Sequence, residues 1–217
     1  PTLYYWRFLP TAVSVLKSSP MAKSNRRQEI LEELADMLQA NPGSRVTTAA
    51  LAQQVGVSEA ALYRHFPSKA KMLDGLIEYA EHTLFNRISQ IMQEQDTAQL
   101  RCHDIILLLI TFVERNPGFA RLFVGDALQG ETGRLRNRVC QLLDRIETQL
   151  RQILREHRAQ QPSLPSYQVN PTANLMLALA EGRIQQFVRS NFRQLPTSDW
   201  PEQWHVVAQN VFADGSF

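Results

Sequence analysis

Apolar residues recur three or four apart along nearly the whole 217-residue chain, and no stretch sustains a period-two alternation. That property alone points to packed helices. The punctuation agrees, with cap-forming Ser, Thr, Asp or Asn before the helical runs and Gly or Pro after them. A first helix starts after Ser24 or Asn25 and runs to about Ala40, with Ile30, Leu31, Leu34, Met37 and Leu38 on one broad face; "NPGS" ends it. Thr47 or Thr48 caps a short second helix to about Val55, and "VGV" turns the chain. Ser58 caps a third helix, "EAALYRHF", and Ser68 a long fourth from about Lys69 to Gln95. A fifth, 97–116, contains "IILLLITFV", apolar on every side and therefore suited to a place among other helices.

The remainder reads as a short helix over 119–124, an irregular link "GDALQGETG", and a long basic amphipathic helix over 131–160. After the loop "QQPSLPSYQVNP" come a helix over 172–192 and a last one begun by "LPTSDWPEQW". Ser198 or Asp199 caps that last helix and Pro201 suits its first turn. The expected fold is all-α with about nine helices: a three-helix head over 21–70 on a larger helical body over 71–217. The opening "PTLYYWRFLPTAVSVLKSSP" lacks a basic leader segment and is too short to cross a membrane. It reads as an upstream extension of residues 1–20, non-native or disordered, with Met21 as the natural start; the rival reading is an apolar arm for a partner.

Composition excludes several functions. A formal charge of +2 is too weak to hold nucleic acid by itself, so such a role needs local clustering. Cys102 and Cys140 have no metal-like spacing and suit a reducing cytosol. The five histidines are scattered, and no glycine-rich phosphate loop or nucleophile motif is present, so neither an enzyme nor a cofactor is expected.

The function-bearing stretch is the pair of short helices around Gly56, a helix-turn-helix pattern. In such a unit the second helix enters the DNA major groove by its N-terminal residues. Leu51, Val55, Leu62 and Phe66 suit the core, and Ala52 and Ala61 permit close packing. Ser58, Glu59 and Ala60 stand at the groove-facing start, followed by Tyr63, Arg64 and His65, with Lys69 opening the next helix. Thr47 and Thr48 offer hydroxyls and free amides to a phosphate, and Arg26 and Arg27 add charge. The alternative is a helix-turn-helix used only for packing.

The head, from "NRRQEIL" through "VTTAALAQQVGVSEAALYRHFPSKAKML", resembles the TetR family of bacterial DNA-binding regulators. That resemblance implies a homodimer on near-palindromic double-stranded DNA. It implies phosphate contacts from Tyr63, His65 and Lys69 and base-facing positions at Glu59, Ala60, Ala61 and Arg64. Ala60 and Ala61 could then meet thymine methyls. The pieces "LYRHFPSK", "ERNPG", "RIETQLRQILRE" and "FVRSNF" with "PTSDW" further resemble one branch of the family, the nucleoid occlusion factors. This implies a nucleoid-associated cytoplasmic protein that, when bound to DNA, opposes polymerisation of the division protein FtsZ.

The same resemblance implies a groove for the FtsZ C-terminal tail between the fourth and fifth helices, at Tyr79, Arg87, Leu108, Thr111 and Arg115. Arg87 and Arg115 would serve as charge partners and Leu108 as an apolar floor. Tyr79 and Thr111 stand where the branch has Phe and Gly, and "ALQGETGRL" is less apolar than the branch's version. From the residues alone, Arg87 and Arg115 also read as solvated helix charge. The basic helix over 134–158 reads as a solvated face or a second DNA surface. The last two helices, with Ala178, Ala180, Gly182 and their tryptophans, suit a twofold dimer or intrachain core. The other function the family allows is a ligand-responsive transcriptional repressor.

Overall fold

The computed structural model describes residues 26–40, 46–131, 133–161 and 167–212. The cap expected at Ser24 or Asn25, the 1–20 extension and the "NPGS" stretch at 41–44 expected to end the first helix lie outside them. The described residues form nine α-helices and no strand. These are α1 (Arg26–Ala40), α2 (Thr48–Val55), α3 (Glu59–His65), α4 (Lys69–Glu94), α5 (Ala98–Arg115), α6 (Pro117–Phe123), α7 (Gly133–Gln160), α8 (Val169–Arg189) and α9 (Trp200–Val211).

Local chemistry sets the helix starts. Thr47, Ser58, Ser68 and Thr97 each accept, through the side-chain oxygen, a bond from the amide three residues on, at 3.2 Å in every case. Each such cap is worth about 1 kcal/mol. Gly56 closes α2 at φ 74°, giving its amide to the Ala52 and Gln53 carbonyls. A side chain there would meet no atom but would strain the left-handed backbone.

Some boundaries differ from the periodicity. The short helix begins earlier, at Pro117, because proline fits a first turn that lacks amide partners. Within the link expected to be irregular, Asp126–Leu128 makes a 3-10 turn. The eighth helix runs from Val169 and stops at Arg189, before Asn191 and Phe192 adopt positive φ. Asp199 precedes α9 in the left-handed region with no side-chain cap bond, and the Ser198 carbonyl is taken by Arg183. The N-cap position of α9 is thus Asp199, and the side-chain cap expected there is not made. Arg183, 8% exposed, also donates to the carbonyls of Pro196 and Leu195, so a buried guanidinium organises the α8–α9 link.

Ile30, Leu34, Leu51, Leu62 and Phe66 form the centre of the head, continuous with the core of the body. The middle of α5, "IILLLITFV", lies within the body against α4, α6, α7 and α8, which is why it is apolar on all sides. Trp200, Trp204, Val207 and Val211 are buried against their own chain. His103 of α5 lies edge-on to the Trp204 ring at 5.3 Å. The tryptophans are intrachain core; the surface that α8 and α9 leave exposed carries Leu175, Ala178, Gly182 and Val206 instead.

A close helix crossing fixes the head to the body, and an ionic cluster stands behind it. Helix α6 crosses α1 so closely that a Cβ on Gly118 would sit 2.5 Å from the Ala35 carbonyl oxygen. One turn on, Arg121, 2% exposed, donates to the Leu38 carbonyl at 2.8 Å and to Asp126 Oδ2 at 2.5 Å. The ionic cluster lies within the body and ties α4 to α7. Asp74 of α4, 8% exposed, receives Arg138 at 2.7 Å, Arg134 at 2.8 Å and Lys71 at 3.0 Å, and Arg138 also reaches Glu81. Burial pushes the Asp74 carboxyl up, but Lys71, Arg138 and Arg134 outweigh it and hold the group below its ordinary value.

Candidate nucleic-acid interface and partner site

The turn at Gly56 presents α3 with its capped N-terminus and one side outward. Leu62 and Phe66, four apart, point into the core at 0% and 2% exposure. Ser58, Glu59, Ala60, Tyr63 and Arg64 are exposed, while Ala61 and His65 are half-buried. Division of one short helix into these two faces is what groove insertion requires.

Several of the expected contact residues are already tied together. Tyr63 Oη donates to Thr48 Oγ1 at 3.3 Å, and Thr48 Oγ1 donates to Glu59 Oε2 at 2.8 Å. A polar chain thus runs across the α2 N-terminus and the start of α3, holding the Glu59 carboxylate beside the helix end. Thr47 uses its hydroxyl as a cap, which orders the first amides of α2. Arg26 is exposed and paired with Glu29 at 2.6 Å.

Arg27 does something the sequence did not suggest. Its guanidinium lies 4.3 Å over the Phe66 ring and donates to the His65 carbonyl at 2.7 Å. It braces the C-terminal end of α3 against α1 and is a structural cation in this arrangement. Lys69 is also engaged: Nζ lies 3.1 Å from Glu131 Oε1, in the link before α7.

Between α4 and α5 the residues separate into a rim and a buried layer. Tyr79 is half-buried, its ring 5.9 Å from that of Phe119, and burial raises its hydroxyl above its ordinary value. Arg87 makes a two-point contact with Glu94, at 3.1 and 3.0 Å, and reaches Gln90 at 2.9 Å. Arg115 is half-buried; partial burial lowers its guanidinium from the ordinary value, against the opposing charge of Glu114.

Leu108 and Thr111 are 0% and 6% exposed. The expected groove floor at Leu108 is therefore closed in this structure, because neighbouring helices cover the middle of α5 there. Glu114 adds a link missed in the sequence: its Oε2 accepts from the amide and hydroxyl of Thr197, at 3.0 and 2.6 Å. It ties the end of α5 to the segment before α9. The signal for it was weak, since a carboxylate beside Arg115 reads equally well as solvated charge.

Among the described residues no cluster of His, Cys, Asp or Glu could hold a metal, and no helix is long and apolar enough to cross a membrane. Cys102 is buried, which pushes its thiol up to about 12. The basic face of α7 is committed at its start to Asp74 and Glu81, a structural use that neither expected reading included.

Residues 30–76 match the model of bacterial regulatory proteins of the tetR family, and residues 95–211 match the SlmA-like tetracyclin repressor-like C-terminal domain. Nucleoid occlusion factor SlmA of Marinomonas sp. is 55% identical over 189 residues, 87% of this chain and 96% of the relative. The protein of the same name from Idiomarina loihiensis is 54% identical over 193 residues, 88% and 97% of the two chains. Among solved structures, the fatty acid degradation regulator FadR from Bacillus halodurans superposes with TM-score 0.74 at 12% identity, over 88% of this chain and 99% of that one. The TetR family regulator PfmR from Thermus thermophilus gives 0.65 at 24% identity, over 88% and 98%. These structural likenesses bear on the fold alone. Sequence identity over almost the full length of the relatives carries the assignment: the chain belongs to the TetR family of bacterial regulatory proteins, in the group that includes the SlmA nucleoid occlusion factors.

Proposed function

We propose that the protein is a DNA-binding nucleoid occlusion factor that binds near-palindromic chromosomal sites as a homodimer and, when bound, captures the C-terminal tail of FtsZ and blocks its assembly. The observation that carries the reading is the 55% identity over 96% of a relative named for this function. The head, taken as residues 21–70, supplies the DNA contacts. Tyr63, His65, Lys69, Thr47, Thr48 and Arg26 contact phosphates, which position the dimer. Ser58, Glu59, Ala60, Ala61 and Arg64 face the base edges. Glu59 is set to accept from a cytosine amino group and the two alanines to meet thymine methyls.

The body, residues 71–217, supplies the twofold contact and the peptide site. Leu175, Ala178, Gly182 and Val206 give the exposed α8–α9 surface the small and apolar character a self-complementary interface needs. Tyr79, Arg87 and Arg115 form the rim of the tail site, with the arginines meeting acidic residues of the tail. Leu108 and Thr111 shape that site from beneath without touching the peptide.

Sedimentation of FtsZ polymers tests the reading. Polymer yield falls when the protein is added with its cognate DNA and not when it is added with unrelated DNA. Equal yields in the two cases overturn it. A small molecule that releases DNA without any effect on FtsZ would identify a ligand-responsive repressor instead.

A further inference from the structure

The first turn of α4 carries two lysines, each held by a carboxylate in a different way. Lys71 pairs with Asp74 on its own helix, and that carboxylate is shared with Arg134 and Arg138. Lys69 pairs with Glu131, 62 residues along the chain and outside the head. The Lys69 and Glu131 side chains are 24% and 16% exposed, so the pair is largely withdrawn from solvent and only partly screened. Glu131 is itself held in place, since its amide bonds to the Leu128 carbonyl at 3.1 Å, across Gly130 at φ 79°. The link "ALQGETGRL" therefore sets a fixed negative charge against the cation at the base of the recognition unit.

We infer that Glu131 is an internal counter-ion that competes with DNA phosphate for Lys69, and so sets the affinity of the head for DNA and its dependence on salt. The inference rests on the proposed DNA role of Lys69. An ammonium is a compact charge that can turn on its four-carbon stem from one oxyanion to another. Binding a phosphate requires it to leave Glu131, and leaves that carboxylate facing the DNA backbone. Both effects reduce affinity without removing any contact. Because Glu131 belongs to the segment leading into α7, the exchange also ties the state of the head to the position of that segment.

Glu131→Gln removes the charge and keeps the shape and a hydrogen-bond acceptor. DNA binding is measured at about 50 and 200 mM salt for the wild type, Glu131→Gln, Lys69→Ala and the double variant, with thermal unfolding as a check on folding. The expected result is a gain of about 2- to 5-fold for Glu131→Gln at the lower salt, the size of a partly screened pair. The gain shrinks at the higher salt, where screening has already weakened the pair. In the Lys69→Ala background the second change gives no gain.

Three outcomes overturn the inference. One is unchanged affinity in Glu131→Gln while Lys69→Ala still weakens binding. Another is an equal gain with and without Lys69, which marks Glu131 as a general negative field. The third is a loss of affinity in folded Glu131→Gln, which makes the pair a positioning contact for the bound state. If Lys69→Ala itself leaves DNA binding unchanged, the DNA role of Lys69 falls first and the inference with it.

Discussion

Gly118→Ala is the sharpest perturbation of the head–body junction. The added methyl would lie 2.5 Å from the Ala35 carbonyl oxygen and 3.2 Å from Leu38 Cβ. A relaxed carbon–oxygen contact is about 3.3 Å, so α6 has to retreat from α1 by about 0.8 Å. The same retreat stretches the Arg121 bond to the Leu38 carbonyl, now 2.8 Å, toward the limit of hydrogen bonding. Overpacking of this kind costs about 1–3 kcal/mol. Against it stands the helix preference of Ala over Gly, at most about 1 kcal/mol and smaller in a first turn. The net is a destabilisation of about 1–2 kcal/mol, or a Tm lowered by about 2–8 °C for a chain of this size. Thermal unfolding followed by circular dichroism reads it, at one fixed protein concentration because a dimer's Tm depends on it. DNA affinity should fall as well, since the tilt of the head follows α1. A Tm equal to or above that of the wild type would show that helix preference wins and that the junction is not close-packed.

Asp74→Asn should lower stability at neutral pH. The folded carboxyl lies below its unfolded value near 3.8, so its contribution is present above that value and lost as pH falls through the folded one. The difference in Tm between wild type and variant should therefore close below about pH 4; a constant difference across pH would remove the charge from the account. Arg87→Ala and Arg115→Ala, singly, should weaken binding of an FtsZ tail peptide while DNA affinity stays at the wild-type level, as fluorescence anisotropy with each ligand would show. Wild-type tail binding in both variants would move the peptide site elsewhere. Ser58→Ala removes the cap of α3 and should cost about 1 kcal/mol of stability. DNA binding should weaken further than that stability loss alone explains, because the free start of α3 is the part that enters the groove. Unchanged DNA binding would separate the cap from recognition.

The candidate DNA interface was largely legible in the sequence, because its parts are close in the chain. Ser58 and the amide it caps are three residues apart, and Leu62 and Phe66 share a face by helix period alone. The peptide site was legible only as a set of positions. Periodicity showed that "IILLLITFV" is buried, yet Leu108 still read as a floor open to a ligand. Whether a buried helix leaves one strip uncovered depends on how α4, α6, α7 and α8 close around it.

Local pattern thus determined the helices, the caps at Thr47, Ser58, Ser68 and Thr97, the Gly56 turn and the two-faced recognition helix, since each depends on contacts within a few residues. Tertiary structure alone decided which cations remain available. Arg27 and Lys69 look alike in sequence, but one is spent bracing Phe66 and the other is held by Glu131. It also decided that Arg121 is core and that Gly118 must remain small. The physical reason is the same in each case: the partner is 39 to 83 residues away in the chain, and only the packing of α3 on α1 within the head, and of α1 and α4 against the body, brings it into range.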